Sequence, residues 1–356
     1  MKKTLLAIAI LGAAAMTAQA ANVTLYGTVD AGFQFLNTKT NGTSTHSFKL
    51  ADGLAGSNKV GIKGEEDLGN MKVGFKLENG FHVANGAMKT SGVLFDREAR
   101  MYVKGGFGEL AAGRIGGLAS SSGSYDMFWS VADAFDGGDK VGTGFVMSDV
   151  YNNSLVYKTP TFGGFTAYAD YSFSVKADQN DKFAQNDRYL GLGATFEQGP
   201  LAVSTAYELW MPHTKEANKA SVTPEPKKPY AINLGASYKI NDEWKILGGL
   251  QYAKNADITY VKGIDATEAT VKSNVAGTLG AQFSTGNHSV KMAGYMARAK
   301  KEDKTKGTFW SLDGRYTYAL STRTSLFAGA DYAQFKFKGA KKNSAATIYT
   351  GLHHNF

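Results

Sequence analysis

The stretch WSLDGRYTY, residues 310–318, alternates between two kinds of side chain. Its apolar members are Trp310, Leu312, Tyr316 and Tyr318. Its polar members are Ser311, Asp313, Arg315 and Thr317. Because successive side chains of a β-strand point to opposite faces, this period of two predicts a strand with one apolar and one polar face. The polar face carries full charges, which a packed soluble core rarely buries without partners.

The same alternation recurs from residue 23 to the end of the chain, for example at residues 165–174, 190–196 and 232–240. It is interrupted at residues 110–115, which predicts a bulge near Gly113. After residue 20 there is no apolar run of the ~20 residues that a membrane-spanning helix needs. A closed barrel, however, crosses lipid with strands of about 10 residues, apolar on one face only. The mean hydropathy of -0.25 is consistent with such a wall, polar inside and apolar outside.

Short turns and longer polar segments alternate between these strands. Seven short turns are predicted at residues 68–70, 105–107, 160–163, 198–200, 241–243, 285–287 and 320–322. Eight longer loops are predicted at about residues 37–56, 83–92, 120–150, 177–186, 212–229, 255–271, 300–306 and 339–344. These connections join sixteen strands, an even number with both chain ends on the short-turn side, as in bacterial outer-membrane barrels. The predicted fold class is therefore all-β, a transmembrane 16-stranded antiparallel β-barrel around an aqueous lumen.

Residues 1–20 are interpreted as a signal peptide. Two lysines precede an apolar run over residues 5–16, and Ala18-Gln19-Ala20 supplies the small residues that a signal peptidase accepts. The mature protein is expected to be exported, with one barrel domain over residues 21–356. Its net charge falls from +8 to about +6 when the two lysines are removed. In an exported protein this diffuse surplus argues against nucleic-acid binding and for a weak preference for anions.

Several functional classes are excluded or disfavoured by composition and spacing. The chain has no cysteine, which removes disulfides, thiolate metal sites and cysteine nucleophiles. His353 and His354 are adjacent, so in a strand they point to opposite faces and cannot hold one metal together. No serine or aspartate is marked as a nucleophile beside a histidine. We therefore expect no enzymatic activity, no cofactor and no metal.

The segment 120–150 is the longest one that does not alternate. It carries five aspartates against a single cation, Lys140, and is interrupted by glycines and by Phe128, Trp129 and Phe135. We interpret the remaining strands as a wall around this segment. The segment itself is then the element that narrows a pore.

Five motifs, in order, cover nearly the whole chain. They are VTLYGTVDAG (23–32), GIKGEEDLGNMKVGFKLENGF (61–81), GGFGELAAGRIG (105–116), NNSLVYKTPTFGGFTAYADYSF (152–173) and GLHHNF (351–356). Together they resemble the general porins of β-proteobacteria and Neisseria. The resemblance implies a homotrimer of sixteen-stranded barrels in the outer membrane, with the long third external loop folded into each lumen. It further implies lipid and lipopolysaccharide as partners, and a barrel assembly machinery that reads Leu352 and Phe356 in the last strand.

The resemblance also implies a constriction in which acidic groups of the third loop face basic groups of the wall. Such an arrangement sets up a field across the pore. The loop candidates are Asp126, Asp133, Asp136 and Asp139. The wall candidates are Lys59, Lys63, Lys76, Arg100 and Arg114, of which Arg114 is best supported because it lies in the AGRIG part of a motif. The alternative for each aspartate is a solvated side chain or the cap of a turn.

Three functions remain open on the sequence. The first is passive diffusion of ions and small hydrophilic solutes through a general porin. The second is a channel selective for anions or sugars, with a binding site made by Phe128, Trp129 and the wall cations. The third is an adhesin whose exposed loops, at 212–229 and 255–271, contact host surfaces or phage.

Overall fold

The computed structural model describes residues 22–138, 140–176, 183–213, 227–262, 264 and 267–356. The elements of this part of the chain are β1 (Thr24–Thr40), β2 (Thr43–Asp52), β3 (Lys59–Asp67), β4 (Met71–Gly80), β5 (Glu98–Gly105), β6 (Gly108–Gly116), α1 (Trp129–Ala132), β7 (Val150–Lys158), β8 (Phe165–Ser172), a 3₁₀ turn (Phe183–Gln185), β9 (Arg188–Gln198), β10 (Leu201–Met211), β11 (Tyr230–Lys239), β12 (Trp244–Thr259), β13 (Glu268–Thr285), β14 (His288–Lys300), β15 (Lys306–Ala319), β16 (Thr324–Phe337) and β17 (Asn343–Asn355). Among these residues no helix has the length and apolarity needed to cross a membrane. The signal peptide predicted at residues 1–20 lies outside the described residues.

The strands pair antiparallel, and the sheet closes on itself. β1 pairs with β17 along twelve residue pairs, from Thr28 opposite Asn355 to Lys39 opposite Ser344. Two backbone hydrogen bonds of 3.1 Å between Gly27 and Phe356 extend this seam. β2 and β3 both pair with β1, on its second and first halves respectively, so together they fill one position in the wall. The described strands therefore form a closed sixteen-stranded antiparallel barrel, which confirms the predicted architecture.

Residues 310–318 lie in β15, and their apolar and polar side chains alternate between the outer and the inner face of the barrel wall. Leu312 is 61% exposed, whereas Ser311 and Asp313 are 1% and 5% exposed. The same holds on β11, where Ile232 is exposed and Asn233 is fully buried. Apolar side chains on the outer face form the lipid-compatible band that such barrels require. The predicted faces are therefore confirmed.

The first predicted loop, residues 37–56, is wrong in extent. β1 continues to Thr40, turns at Asn41 and Gly42, and returns as β2 to Asp52. Asn41 and Gly42 have φ angles of 52° and 97°, and a tight two-residue hairpin turn needs this left-handed pair. The Asn-Gly dipeptide was the sequence signal for a hairpin. The loop begins only after β2.

Other boundaries are closer to prediction. All seven predicted short turns lie at strand junctions. The loop predicted at residues 255–271 is shorter, because β12 and β13 extend into it as far as Thr259 and Glu268. The predicted bulge is confirmed, since Gly113 pairs with Ser154 but the register has shifted by Ile115.

Candidate functional site

The segment 117–149, between β6 and β7, packs against the buried faces of β10 to β15. Its short helix α1 lies over Gly249 of β12, where a Cβ atom would be 2.8 Å from Ala132 Cβ and 3.0 Å from Phe128 Cζ. Only glycine allows the helix to approach the strand this closely. Phe128 and Trp129 are both fully buried. The aromatic side chains of the segment therefore attach it to the wall.

Polar side chains of the wall complete the hydrogen bonding of this irregular backbone. Gln251 accepts a hydrogen bond from the Val146 N–H at 2.7 Å and donates one to the Val146 carbonyl at 2.8 Å. Asn274 donates from Nδ2 to the Gly144 carbonyl at 2.9 Å. Buried backbone groups outside regular structure need such partners. The polar face of the strands is therefore used to anchor the segment.

Residues 53–58, between β2 and β3, form a second irregular segment. The N–H groups of residues 54–56 all donate to the Asp30 carboxylate, at distances of 2.5 to 3.1 Å. Asp30 is fully buried, and its Oδ2 lies 3.0 Å from His353 Nδ1. Hydrogen bonds from several N–H groups to one carboxylate are strong. Asp30 therefore fixes the shape of this segment, which the sequence analysis did not identify.

The two segments meet. Lys140 donates from Nζ to the Gly53 carbonyl at 2.8 Å. A cavity of about 290 Å³ lies at this meeting point, and we call it the charged cavity. Its charged lining residues are Lys59, Arg97, Asp136 and Lys140, together with His353. Residues that are distant in the sequence thus converge on one polar space.

Three of the predicted wall cations face two buried glutamates. Lys76 Nζ lies 2.7 Å from Glu98 Oε2, and Arg100 Nε lies 2.8 Å from Glu98 Oε1. Lys59 Nζ lies 3.7 Å from Glu78 Oε2. Glu78 and Glu98 are 1% and 0% exposed, and the sequence analysis did not select them. The alternation of side chains along β4 could have identified Glu78, because it is two residues from Lys76 and therefore on the same face of the strand.

Arg114 and Lys63 have different surroundings. Arg114 donates from Nε to the Asp96 carbonyl at 2.9 Å and from Nη1 to Asn152 Oδ1 at 2.8 Å. Within the described ranges of the chain, no carboxylate lies within salt-bridge distance of Arg114. Lys63 lies over the ring of Tyr26, 5.5 Å from its centroid, four residues along β3 from Lys59. Lys63 is opposite Lys76 in the pairing of β3 with β4, and Lys76 is opposite Arg100 in the pairing of β4 with β5, so these three cations form one row across the wall.

One cation that the sequence analysis missed lies at the charged cavity. Arg97 Nε is 2.7 Å from Glu78 Oε1. Arg97 directly precedes β5 and so falls just outside the alternating stretch used for face assignment. Glu78, Arg97 and Lys59 therefore form a cluster of mixed charge.

Two of the predicted loop aspartates support the segment's own structure. Asp126 accepts hydrogen bonds from the Trp129 and Ser130 N–H groups, which begin α1, at 3.1 and 3.0 Å. Burial raises the pKa of Asp126 to about 7, although these hydrogen bonds oppose the rise. Asp133 is 2% exposed, and its Oδ2 accepts a hydrogen bond from the Gly137 N–H at 2.8 Å. These contacts are those of aspartates that cap turns.

Asp136 lines the charged cavity, unlike Asp126 and Asp133. Desolvation raises its pKa, whereas the positive charges of Lys291, Lys245 and Arg315 oppose this rise. These three cations come from β14, β12 and β15, and the sequence analysis did not select them. Asp139 lies outside the described residues. The fold thus brings Asp136 close to three basic residues of the wall that are distant from it in the sequence.

The last strand ends on the outer face. Leu352 and Phe356 are 46% and 42% exposed. The ring of Phe356 lies over Gly27, where a Cβ atom would be only 2.3 Å from its Cζ. A glycine in the first strand is therefore required for the terminal aromatic ring to take this position.

Comparison with known proteins agrees with this geometry. A family model described as Gram-negative porin matches residues 5–340. An outer membrane porin protein of Bordetella pertussis is 30% identical over 398 residues, covering 100% of both chains. Outer membrane porin protein 32 of Delftia acidovorans is 29% identical, covering 99% of this chain and 95% of that protein. Among solved structures, an anion-selective porin from Comamonas acidovorans has a TM-score of 0.67 at 24% identity, covering 94% of this chain and 100% of that one. This last similarity concerns the fold.

Proposed function

The chain belongs to the Gram-negative porin family, and on that premise we propose that it is a general diffusion channel narrowed where segments 117–149 and 53–58 meet. Like its relatives, it is an outer-membrane porin. The hydrogen bond from Lys140 to the Gly53 carbonyl is the observation that supports the proposed narrowing. It joins two irregular segments, each of which is bonded to buried side chains of the wall. Two such segments in contact reduce the free cross-section of the ring that encloses them.

The lumen remains passable because the narrowing is polar. A sixteen-stranded barrel is wide enough for an aqueous channel. The charged cavity offers ions and small hydrophilic solutes a path lined by ammonium, guanidinium and carboxylate groups. Fixed charges of opposite sign across a narrow path orient water and replace part of the hydration of a passing ion. Transport is then passive diffusion without a chemical step, and no enzymatic activity is assigned.

The charges at the narrowing favour anions. The charged cavity has three cations in its lining, Lys59, Arg97 and Lys140, against the single acid Asp136. Glu78 offsets part of this excess through its contacts with Lys59 and Arg97. Lys245 of β12, Lys291 of β14 and Arg315 of β15 also act on Asp136. Since selectivity is set at the narrowest part of a pore, the net positive balance predicts a modest anion preference.

A channel with a stacking site for sugars is less well supported. The aromatic residues proposed for that site, Phe128 and Trp129, are both fully buried. Trp129 also donates from Nε1 to the Ala119 carbonyl at 2.8 Å, within its own segment. A passing solute therefore has no access to either ring, which favours unspecific diffusion.

Two further properties are part of the proposal. The family resemblance supports a homotrimer, and the exposed apolar outer face provides the surface for contact with lipid or a neighbouring barrel. The exposed Leu352 and Phe356 support a terminal signal for the barrel assembly machinery. Removing Phe356 should lower the yield of assembled barrel in the outer membrane, whereas Phe356→Trp should preserve it.

Single-channel current in a planar bilayer tests the proposed function. Conductance that rises in proportion to salt and is not blocked by small sugars is expected for a general porin. A reversal potential of the anionic sign under a salt gradient is expected from the charged cavity. Conductance that saturates with salt, or block by a sugar, would contradict general diffusion.

A further inference from the structure

β12 and β13 extend further towards the longer loops than the strands beside them. They pair with each other as far as Thr259 opposite Glu268. In the described part of the chain, β11 pairs with β12 no further than Lys254, and β14 pairs with β13 no further than Ser273. Residues 255–272 therefore lie beyond the neighbouring strands. We call them the β12–β13 hairpin.

One face of the β12–β13 hairpin packs inside the barrel. Tyr260 is fully buried, and its ring stacks on that of Phe335, with 4.1 Å between the ring centroids and an angle of 1° between the ring planes. Phe335 is opposite Phe309 in the pairing of β15 with β16, and both are buried on the inner face of the wall. β14 and β15 lie between β13 and β16 in the sheet. The hairpin therefore crosses the inner faces of these two strands.

The tip of the β12–β13 hairpin is bonded internally by Thr267. The Thr267 hydroxyl accepts a hydrogen bond from the Val261 N–H at 3.0 Å. It also lies 3.0 Å from the Val261 carbonyl and 2.7 Å from the Ile264 carbonyl, to which it can donate. These three residues are at most 3% exposed. Buried backbone groups outside regular structure need such partners, so this part of the tip has a defined shape.

The β12–β13 hairpin contacts the segment 117–149 directly. The Lys262 N–H donates to the Val141 carbonyl at 3.0 Å. Gly142, which follows Val141, has a φ of 123°, and a Cβ atom there would be 2.1 Å from the Tyr260 carbonyl oxygen. Only glycine lets the segment pass this close to the hairpin. The hairpin thus covers the segment on one side.

The barrel wall holds the same residues from the other side. Ser311 of β15 donates from Oγ to the Gly142 carbonyl at 3.0 Å. At Gly144, a Cβ atom would be 2.7 Å from Phe309 Cδ1 and 2.8 Å from Ala297 Cβ. Residues 142–144 of the segment are therefore held between the β12–β13 hairpin and the wall.

Asn274 of β13 connects the anchoring ring of the hairpin to this part of the segment. Its Oδ1 accepts a hydrogen bond from the Tyr260 hydroxyl at 2.9 Å. Its Nδ2 donates to the Gly144 carbonyl, also at 2.9 Å. Both side chains are fully buried. A displacement of Tyr260 is thus transmitted to the segment through one side chain.

We propose that the β12–β13 hairpin is the positioning element of the narrowing. Lys140, whose ammonium group bonds to the Gly53 carbonyl, directly precedes the residues that the hairpin holds. The stacking of Tyr260 on Phe335 therefore keeps this cation in place and keeps the two irregular segments together. This inference rests on the proposed function, because it explains how the narrowing is maintained. Release of the hairpin should weaken the anion preference and widen the path.

Reversal potentials under a salt gradient test the position of Lys140. Tyr260→Ala removes the stacked ring but no charge, so a mere loss of barrel stability would lower the yield and leave ion selectivity unchanged. The anion-to-cation permeability ratio should fall by at least about twofold, as expected when one unit charge moves away from the path. Tyr252→Ala, on the outer face of β12, is the matched control and should leave the ratio unchanged. An unchanged ratio in Tyr260→Ala would overturn the proposal.

Entry of neutral sugars of increasing size into liposomes tests the width of the path without any contribution from charge. Lys254 and Ser273 are directly opposite each other, so Asn-Gly in place of residues 255–272 joins them by a two-residue turn. The described pairing with β11 and β14 is retained. The shortened channel should admit larger sugars than the wild-type channel. The same size limit in both channels would contradict the proposal.

Lys140→Gln separates this inference from the proposed narrowing. If Lys140→Gln lowers the permeability ratio and Tyr260→Ala does not, the narrowing stands and the role of the hairpin is refuted. If Lys140→Gln leaves the ratio unchanged, the proposed narrowing itself fails. Should Tyr260→Ala not assemble, Gly142→Ala provides a second test, because its Cβ would push the segment away from the hairpin. An unchanged ratio in Gly142→Ala would then overturn the proposal.

Discussion

Tyr295 of β14 donates a hydrogen bond from its hydroxyl to Oδ1 of Asp133 at 2.7 Å, and both side chains are buried. The two residues are separated by 162 positions in the chain. Asp133 also accepts the Gly137 N–H, so one carboxylate connects the wall to a turn of the segment 117–149. Hydrogen bonds to an ionised group are stronger than those between neutral groups. This connection holds the segment at a fixed distance from β14.

Tyr295→Phe is expected to loosen the segment without unfolding the barrel. The substitution leaves a buried carboxylate oxygen with one donor fewer, at a cost of about 1 to 3 kcal/mol. Amide hydrogen exchange within residues 126–138 should become faster, and open-channel current should become noisier. Tyr207→Phe, on the outer face of β10, is the matched control and should change neither. Unchanged exchange in Tyr295→Phe would show that this hydrogen bond does not hold the segment.

Gly249→Ala and Gly248→Ala should have opposite outcomes although they are neighbours. A Cβ at Gly249 would be 2.8 Å from Ala132 and would push α1 away from β12. At Gly248 the nearest atoms would be the Thr278 carbonyl oxygen at 3.3 Å and Leu279 Cδ1 at 3.6 Å, so a methyl group on the outer face needs only a small shift. Overpacking costs about 1 to 3 kcal/mol. We expect altered conductance in Gly249→Ala and wild-type conductance in Gly248→Ala, and equal conductance in both would contradict the packing of α1.

Asp136→Asn should strengthen the preference for anions. The substitution removes the exposed acid of the charged cavity and leaves its cations in place. A unit charge at about 8 Å in water acts with about 0.5 kcal/mol, so the anion-to-cation permeability ratio should rise by about twofold to fivefold. Reversal potentials under a salt gradient measure this ratio. Asp303→Asn, in an exposed loop, is the control, and a shift of the same size there would indicate a general surface effect.

Neutralising a basic residue should lower the preference for anions, and the size of the effect should depend on the position of that residue. Arg315→Gln removes a charge that acts directly on Asp136 and should lower the anion-to-cation permeability ratio. Arg114→Gln should do the same more weakly, because Arg114 is bonded to Asn152 and the Asp96 carbonyl rather than lining the charged cavity. The same salt-gradient measurement compares the two. A larger effect of Arg114→Gln would contradict the proposed position and would place the constriction nearer to β6.

The architecture could be predicted because a barrel wall repeats one local rule, the period of two. That rule also gives the face of each charge, which is why Lys76 and Arg100 were expected on the polar side. It does not give the position of a strand around the ring, so the approach of Lys291 to Asp136 could not be predicted. The segment 53–58 was missed for the same reason. Its shape depends on Asp30, a tertiary partner that no local pattern reveals.

Between about pH 6 and pH 8 the channel should become less anion-selective as pH rises, because Asp126 ionises with a pKa of about 7. An aspartate whose pKa is raised by burial binds its proton more tightly in the folded protein than in the unfolded chain. Stability from this group is therefore complete at low pH and is lost as the pH rises towards about 7. Reversal potentials should change between about pH 6 and pH 8, and exchange of the α1 amides between about pH 4 and pH 7. The changes should disappear in Asp126→Asn, which keeps one acceptor oxygen for α1, and persist in Asp136→Asn. A pH response retained by Asp126→Asn would assign the titration to another group.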